Sequence, residues 1–329
     1  EDEKQKITNK CEFRTTFKFP ERAKALNWFP GHMLKTTKEI QARLSSVNVV
    51  VEVRDARVPF SSRNDRLDDE IRARNKRKLI VFNKTDLAHP NTPKLIADKF
   101  KDVPTLFTSA TKGVNIKDIV STSLKHHKIV RKFKTIPIVF MVVGIPNVGK
   151  SSIINALKNK YAHTFDHKEV RGKAKVGATP GLTRSINFFK VCEKPEPCVV
   201  LDSPGVFVPT ISTYHQAFRL ALINAIPDAL SIDNIDLCDY LLFELNKHKQ
   251  FLYVTVFKLP HATDSIQQLL HWMCSYLQAY QTNGEDDIIR ATSTFIRYFR
   301  SGKLGRLTLE VEEEYDGVEE DKPNEIKSL

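Results

Sequence analysis

The stretch GIPNVGKSS at residues 144–152 constrains this chain more than any other part of it. It fits the pattern G-x-x-x-x-G-K-[ST], follows the apolar run PIVFMVV at 137–143 and opens into SSIINALKN. Strand, loop and helix in that order are the context the pattern needs. Gly144 and Gly149 let the backbone wrap closely, so that successive N–H groups face an anion. The positions Asn147, Val148, Gly149, Lys150, Ser151 and Ser152 therefore read as a phosphate cradle. Lys150 would neutralise charge on the β- and γ-phosphates, and the Ser151 hydroxyl would ligate Mg2+.

Two further stretches extend this reading. LDSPG at 201–205 ends an apolar run with Asp202, which can hold Mg2+ through water, and offers the Gly205 N–H to the γ-phosphate. Between the two, GATPGLTRS supplies Thr183 as a hydroxyl that could close over Mg2+ and the γ-phosphate. Thr179 is the alternative, and spacing does not separate them. NKTD at 83–86 follows the apolar run KLIVF and suits guanine. A carboxylate, Asp86, can accept from the N1–H and exocyclic amine of that base together. Asn83 is placed at the opposite edge, the Lys84 stem over the ring, and a backbone N–H from Ser109 or Ala110 near the guanine oxygen. Adenine would leave NKTD without a purpose, so GTP is the expected ligand.

The base reader precedes the phosphate loop, the reverse of the usual GTPase order. Chain termini often lie close together, and joining them while opening the ring elsewhere preserves a fold. The arrangement is thus a circular permutation, cut just after DSPG. Apolar runs at 47–53, 78–82, 104–109, 137–143, 185–191 and 197–202 alternate with helix-like stretches at 61–75, 92–101, 114–128 and 150–159. That alternation predicts an α/β domain on a largely parallel sheet. A further helix is expected over 33–45. From about 212, apolar positions at helical spacing over 214–226, 234–251, 265–281 and 286–305 predict a smaller all-helical domain. The expected organisation is an arm at 1–27, mobile or clamped, a permuted GTPase domain at 28–211, a helical domain at 212–309 and a disordered acidic tail at 310–329. The cut would tether the helical domain to the loop that responds to the γ-phosphate.

A net charge of +12 favours a polyanionic partner. The five scattered cysteines form neither a CxxC pair nor a zinc pattern, and no apolar run reaches the roughly 20 residues that span a bilayer.

WFPGHM (28–33), VRDARVPFSSRN (53–64), FNKTD, GIPNVGKSS, TPGLT and LDSPGV, in that order, resemble the YlqF/RbgA group of circularly permuted GTPases. DYLLFELNKHKQF and FIRYFRSGKLG look most like its mitochondrial branch, and the likeness covers about residues 25–308. The resemblance implies a GTPase that assembles the large subunit of the mitochondrial ribosome in the matrix. Its implied partners are rRNA, ribosomal proteins and other assembly factors, with a peripheral association at the inner membrane. The rRNA phosphates would then be met by the linker residues Lys125, Lys128, Arg131, Lys132 and Lys134 and by Arg297, Arg300, Lys303 and Arg306, whose alternative is a solvated basic face. Val206 stands where many small GTPases carry the Gln that orients water, and an apolar side chain cannot do this. The resemblance transfers that role to His32, and it makes Asn147 a candidate ligand for K+. Asp55 and Arg57 are read either as a brace for switch segments or as a structural ion pair. A GTP-dependent binding platform with little turnover is the alternative function, and the absence of lipidation motifs disfavours a signalling GTPase at a membrane.

Overall fold

The computed structural model describes residues 12–20, 42–127, 137–162, 187–192, 197–202, 211, 213–226 and 232–310. Six strands form one sheet: β1 (Val49–Asp55), β2 (Arg77–Asn83), β3 (Thr105–Phe107), β4 (Ile138–Val143), β5 (Asn187–Cys192) and β6 (Cys198–Asp202). Their order is β3-β2-β1-β4-β6-β5, with β5 antiparallel at one edge and every other pairing parallel. Each half of the chain is therefore an intact half-sheet. β1 to β3 fan outward on one side and β4 to β6 on the other, joined along the β1–β4 seam. Exchanging the order of two such halves changes only the connections.

Register then fixes where the loops emerge. Asp55 pairs with Asn83, Glu52 with Val143, and Val142 with Asp202. Asn83, Gly144 and Asp202 thus leave the sheet at its carboxyl end, where open α/β sheets bind their ligands. β1 is buried along its whole length, including Glu52, Arg54 and Asp55, because helices cover both faces.

One face packs against α1 (Asp65–Ala73), against α2 (Thr92–Ile96) and against the turn of 3-10 helix at Ala97–Phe100. Asn64 starts α1 by accepting from the Leu67 N–H at 3.0 Å. The opposite face packs on α3 (Ile116–His127) and α4 (Lys150–Lys160). The same buried apolar cluster continues into α5 (Tyr214–Leu222), α6 (Asn234–Lys247), α7 (Leu252–Val256), α8 (Ile266–Leu277) and α9 (Ile288–Arg300).

The helix expected over 234–251 ends earlier, at Lys247, and α7 starts only at Leu252. α6 stops where Lys249 adopts φ +55° and the Gln250 N–H turns back to the Leu245 carbonyl, a left-handed exit that ends the ladder. Similarly, Gly302 at φ +77° stops α9 before the 305 boundary. Of the helix expected over 33–45, only residues 42–45 fall among the described residues; 42–44 are helical and Ser45 is in a turn.

Residues 12–20 lie against the helical layer. Phe17 sits 5.1 Å from Tyr240 and 5.6 Å from Phe243 between ring centroids, and Arg14 reaches both Asp239 and Asp264. At the other end the chain returns to the sheet domain. The Leu307 N–H meets the Leu87 carbonyl and the Leu309 N–H meets that of Arg57. Glu310, assigned by the sequence to the disordered tail, is instead buried and accepts from the Phe60 and Ser61 N–H groups. The tail boundary therefore lies past Glu310. Phe17→Ala should lower the free energy of unfolding in urea by about 3 kcal/mol, because an aromatic cluster would be left with a cavity at its centre.

Candidate nucleotide site

The phosphate loop takes its shape from three left-handed residues: Gly144 at φ +145°, Asn147 at +60° and Gly149 at +97°. A Cβ on Gly144 would lie 2.3 Å from the Val53 carbonyl oxygen, so only glycine lets the loop pass the end of β1. A Cβ on Gly149 would lie 2.3 Å from the Asn83 side-chain amide. This second contact shows how the two halves of the motif set meet. Asn83 donates from Nδ2 to the Val148 carbonyl at 2.9 Å, and its Oδ1 accepts from the Ala110 N–H at 3.1 Å and the Thr108 hydroxyl at 3.3 Å. Lys84, at φ +63°, places Nζ on the Asn147 carbonyl and 2.9 Å from Asp55 Oδ2.

The sequence placed Asn83 along a base edge and a Ser109 or Ala110 N–H at the guanine oxygen. In the structure each of these groups also has a partner within the protein. Asn83 is buried and its amide staples strand β2 to the phosphate loop and to the loop after β3. The Ala110 N–H is committed to Asn83, and the Ser109 N–H to the Val114 carbonyl at 3.3 Å. A pattern of residue types shows which groups gather at a strand end, but not which partner each takes.

Asp86 stands at one end of this assembly. The Thr111 hydroxyl reaches its Oδ2 at 3.5 Å, while its Oδ1 is buried with no hydrogen-bond partner among the described residues. A buried carboxylate oxygen without a donor is costly, and a donor pair such as the guanine N1–H and amine would match it. At the other end, Ser151 donates to Asp202 Oδ2 at 3.4 Å, and Asp202 Oδ1 is likewise buried and unmatched among the described residues. Burial pushes the Asp202 carboxyl up to about 6, against the pull of Lys150 and Ser151. Burial also pushes the Lys150 ammonium down to about 8, against the pull of Asp202. Lys150 donates to the Ile145 carbonyl at 2.9 Å. A buried cation and a buried anion, each only partly offset within the protein, suit a phosphate and a divalent metal side by side. Ser152 is partly exposed on the first turn of α4. His32, Thr183 and Gly205 lie outside the described residues, as do Thr179 and Val206.

Asp55 and Arg57 form a buried ion pair with bonds of 2.9 and 2.8 Å. Burial opposes charge on Asp55, but Arg57 and Lys84 outweigh it and hold the carboxyl well below the usual range. The Arg57 guanidinium lies 5.4 Å over the Phe299 ring of α9. Sequence reasoning missed one contact entirely: Asn147 Nδ2 donates to the Asn224 carbonyl at 2.6 Å. Asn224 follows α5 at φ +61°, and Arg300 donates to the Leu222 and Ala221 carbonyls just before it. The free carbonyl end of α5 is thus held between the phosphate loop and α9. Arg300 and Arg306 had been expected on RNA. Here Arg300 serves α5, and Arg306 donates to the Ala88 and Thr85 carbonyls. Lys303 lies 4.5 Å over Tyr298, and Arg297 lines a cavity of about 1050 Å³ between α5, α6 and α9.

A family profile described as 50S ribosome-binding GTPase matches residues 139–272, which takes in the phosphate loop and leaves out NKTD. Mitochondrial ribosome-associated GTPase 1 of Mus musculus is 37% identical over 306 residues, covering 86% of this chain and 89% of its own. The chain belongs to the YlqF/RbgA family of circularly permuted GTPases. Ribosome biogenesis GTPase A of Bacillus cereus is 32% identical over 304 residues, 90% of this chain and 97% of that one. The GDP-bound structure of TM YlqF aligns with a TM-score of 0.55 at 25% identity, covering 84% and 99% of the two chains. As a member of this GTPase family, the chain binds GTP and Mg2+ and hydrolyses GTP.

Asn83→Leu keeps the volume but removes the staple. It should lower stability by about 1–3 kcal/mol in thermal unfolding, since the Val148 carbonyl and Ala110 N–H lose their partner. Calorimetry should show weaker GTP binding as the loop relaxes. Unchanged affinity would mean that the loop keeps its shape unaided.

Proposed function

We propose that this GTPase acts in assembling the large subunit of the mitochondrial ribosome, binding rRNA and leaving the particle when GTP is hydrolysed. The observation that carries the nucleotide half of this reading is the grip of Asn83 and Lys84 on the phosphate loop. It sets the unmatched Asp86 oxygen at one end and Lys150, Ser151 and Asp202 at the other. The ribosomal half is supported by the names of the relatives, which place them on ribosomes or in mitochondria, and by the net charge of +12. The same names support a mitochondrial location, and we place the protein in the matrix, peripheral to the inner membrane. Among the described residues, no helix is long and apolar enough to cross a membrane.

In this reading Asp86 accepts from guanine, the Lys84 stem borders the base, and the N–H groups from Asn147 to Ser152 surround the phosphates. Lys150 offsets charge as it builds on the transferred phosphoryl group. Ser151, Asp202 and Thr183 would hold Mg2+, which would supply positive charge to the phosphates. Asn147 offers its side-chain oxygen to K+, and Gly205 reports the γ-phosphate. His32 positions the attacking water in place of the missing Gln, as a neutral imidazole within hydrogen-bond reach. Loss of the γ-phosphate shifts the segment after Asp202 and, through it, α5.

Asp86→Asn replaces an all-acceptor group with one acceptor and one donor. It should weaken GTP binding by about 10- to 100-fold, in line with 1.5–3 kcal/mol for a charged hydrogen bond. It should also favour xanthosine triphosphate, whose carbonyl stands where guanine has its amine; competition binding reads both. Multiple-turnover hydrolysis should rise on adding large subunits, and His32→Ala should abolish that rise while leaving GTP affinity intact. A wild-type rate indifferent to large subunits would favour the binding platform instead.

A further inference from the structure

A cavity of about 520 Å³ opens on the sheet face covered by α1, and it shares no lining residue with the phosphate loop. Six of its twelve lining residues are cationic, Arg54, Arg63, Arg72, Lys76, Lys78 and Lys99, while one, Asp68, is anionic. Behind the wall, buried Glu52 binds Arg54 at 2.9 and 3.0 Å and meets Lys78 at 2.5 Å. Asp68 answers Lys78 and, at 3.1 Å, Arg63. Asp69 stands 3.7 Å from Arg72 on the exposed helix surface, where such a pair contributes little. Positive charge therefore dominates the opening. Its apolar part is Ile71, Ile80 and Val103 with a stacked pair, Phe60 and Phe100, whose centroids are 5.7 Å apart.

The chain itself delivers a complement to this spot. Glu310, the last described residue, accepts from the N–H of Phe60 at 2.6 Å and from that of Ser61 at 2.9 Å. Phe60 is a wall of the cavity. The residues that follow, VEEEYDGVEEDKPNEIKSL at 311–329, carry eight acidic and two basic side chains. Tyr315 lies among Glu312, Glu313, Glu314 and Asp316. At about 3.3 Å per extended residue, that group has ample length to reach from Glu310 across a cavity of this size. So short a tether also gives a high effective concentration, on the order of millimolar.

We propose that residues 312–321 dock in this cavity, with Tyr315 against the Phe60–Phe100 pair and the flanking carboxylates on the basic rim. The acidic tail then acts as an internal polyanion that shields one basic surface, and RNA phosphates reach that surface only by displacing it. Neither the nucleotide site nor the ribosomal role is needed for this inference.

Amine acylation read by mass spectrometry tests it on three chains: the full chain, a chain ending at Glu310, and a full-length variant with Glu312→Gln, Glu313→Gln, Glu314→Gln and Asp316→Asn. Acylation of Lys76 and Lys99 should rise at least threefold in both altered chains. It should also rise in the full chain at salt of about 0.5 M, where charges are screened beyond a few ångströms. Lys125, on α3, should not respond. Equal reactivity of Lys76 and Lys99 in all three chains overturns the proposal. Carbodiimide coupling of mixed isotopically light and heavy full chains should join the tail carboxylates to Lys99 or Lys76 within one copy. Links between copies, or links to Lys125 in place of these, overturn it. A single-stranded RNA oligonucleotide should protect Lys99 more strongly in the shortened chain. Protection of equal strength in both would make the cavity an RNA site with no role for the tail.

Discussion

One side chain, Asn83, carries the consequence of the reversed motif order. Its amide reaches the Val148 carbonyl of a loop that lies 65 positions later in the chain, and its oxygen collects the Ala110 N–H. Lys84 repeats the connection on the Asn147 carbonyl. Backbone carbonyls and N–H groups buried at a strand end must be matched, and each of these bonds matches one from each half. The halves are thus held in register by groups that do not depend on which comes first along the chain. Permutation costs the site little because the site is closed by side chains and not by a connecting loop.

Around that grip the charges are arranged in layers. Asp55 is compensated by Arg57 and Lys84, and the ion pair is sealed by Phe299 from the helical layer. Such a pair is costly to desolvate and gains its worth from geometry. Here the geometry aims the Lys84 ammonium at the phosphate loop. Asp86 Oδ1 and Asp202 Oδ1, buried with no donor among the described residues, and Lys150 beside Asp202 are the groups a Mg2+-bound guanine nucleotide would meet.

Much of this was legible in the sequence. The strand runs were visible because a sheet covered on both faces needs long apolar runs, as in β4 and in the Val-rich first half of β1. The phosphate loop was visible because its left-handed turns need glycine at 144 and 149. Hydrogen-bond partners were less legible. Asn83 and Ala110 were assigned to a base, but the Asn83 side chain also holds the Val148 carbonyl and the Ala110 N–H itself. Arg300 and Arg306 were assigned to RNA from the resemblance and the basic charge, but helix-end and loop carbonyls take their donors. The stop at Lys249 was missed because Lys gives no signal for a left-handed residue, unlike Gly302. The contact from Asn147 to Asn224 spans 77 positions, and no local pattern encodes it.

That last contact alters how a nucleotide signal would travel. With the tether after Asp202 alone, the helical layer would hear of the γ-phosphate only through the segment that leads into α5. The structure adds a second path, because the far end of α5 is bonded to the phosphate loop through Asn147 and to α9 through Arg300. A helix held at both ends near one ligand cannot swing freely about either. Movement at its first residues must be taken up by rotation about the Asn224 end, or that bond must break. Arg300, whose side chain holds the α5 end, is the last residue of α9, and Phe299 beside it lies against Arg57, so either response would be felt there first.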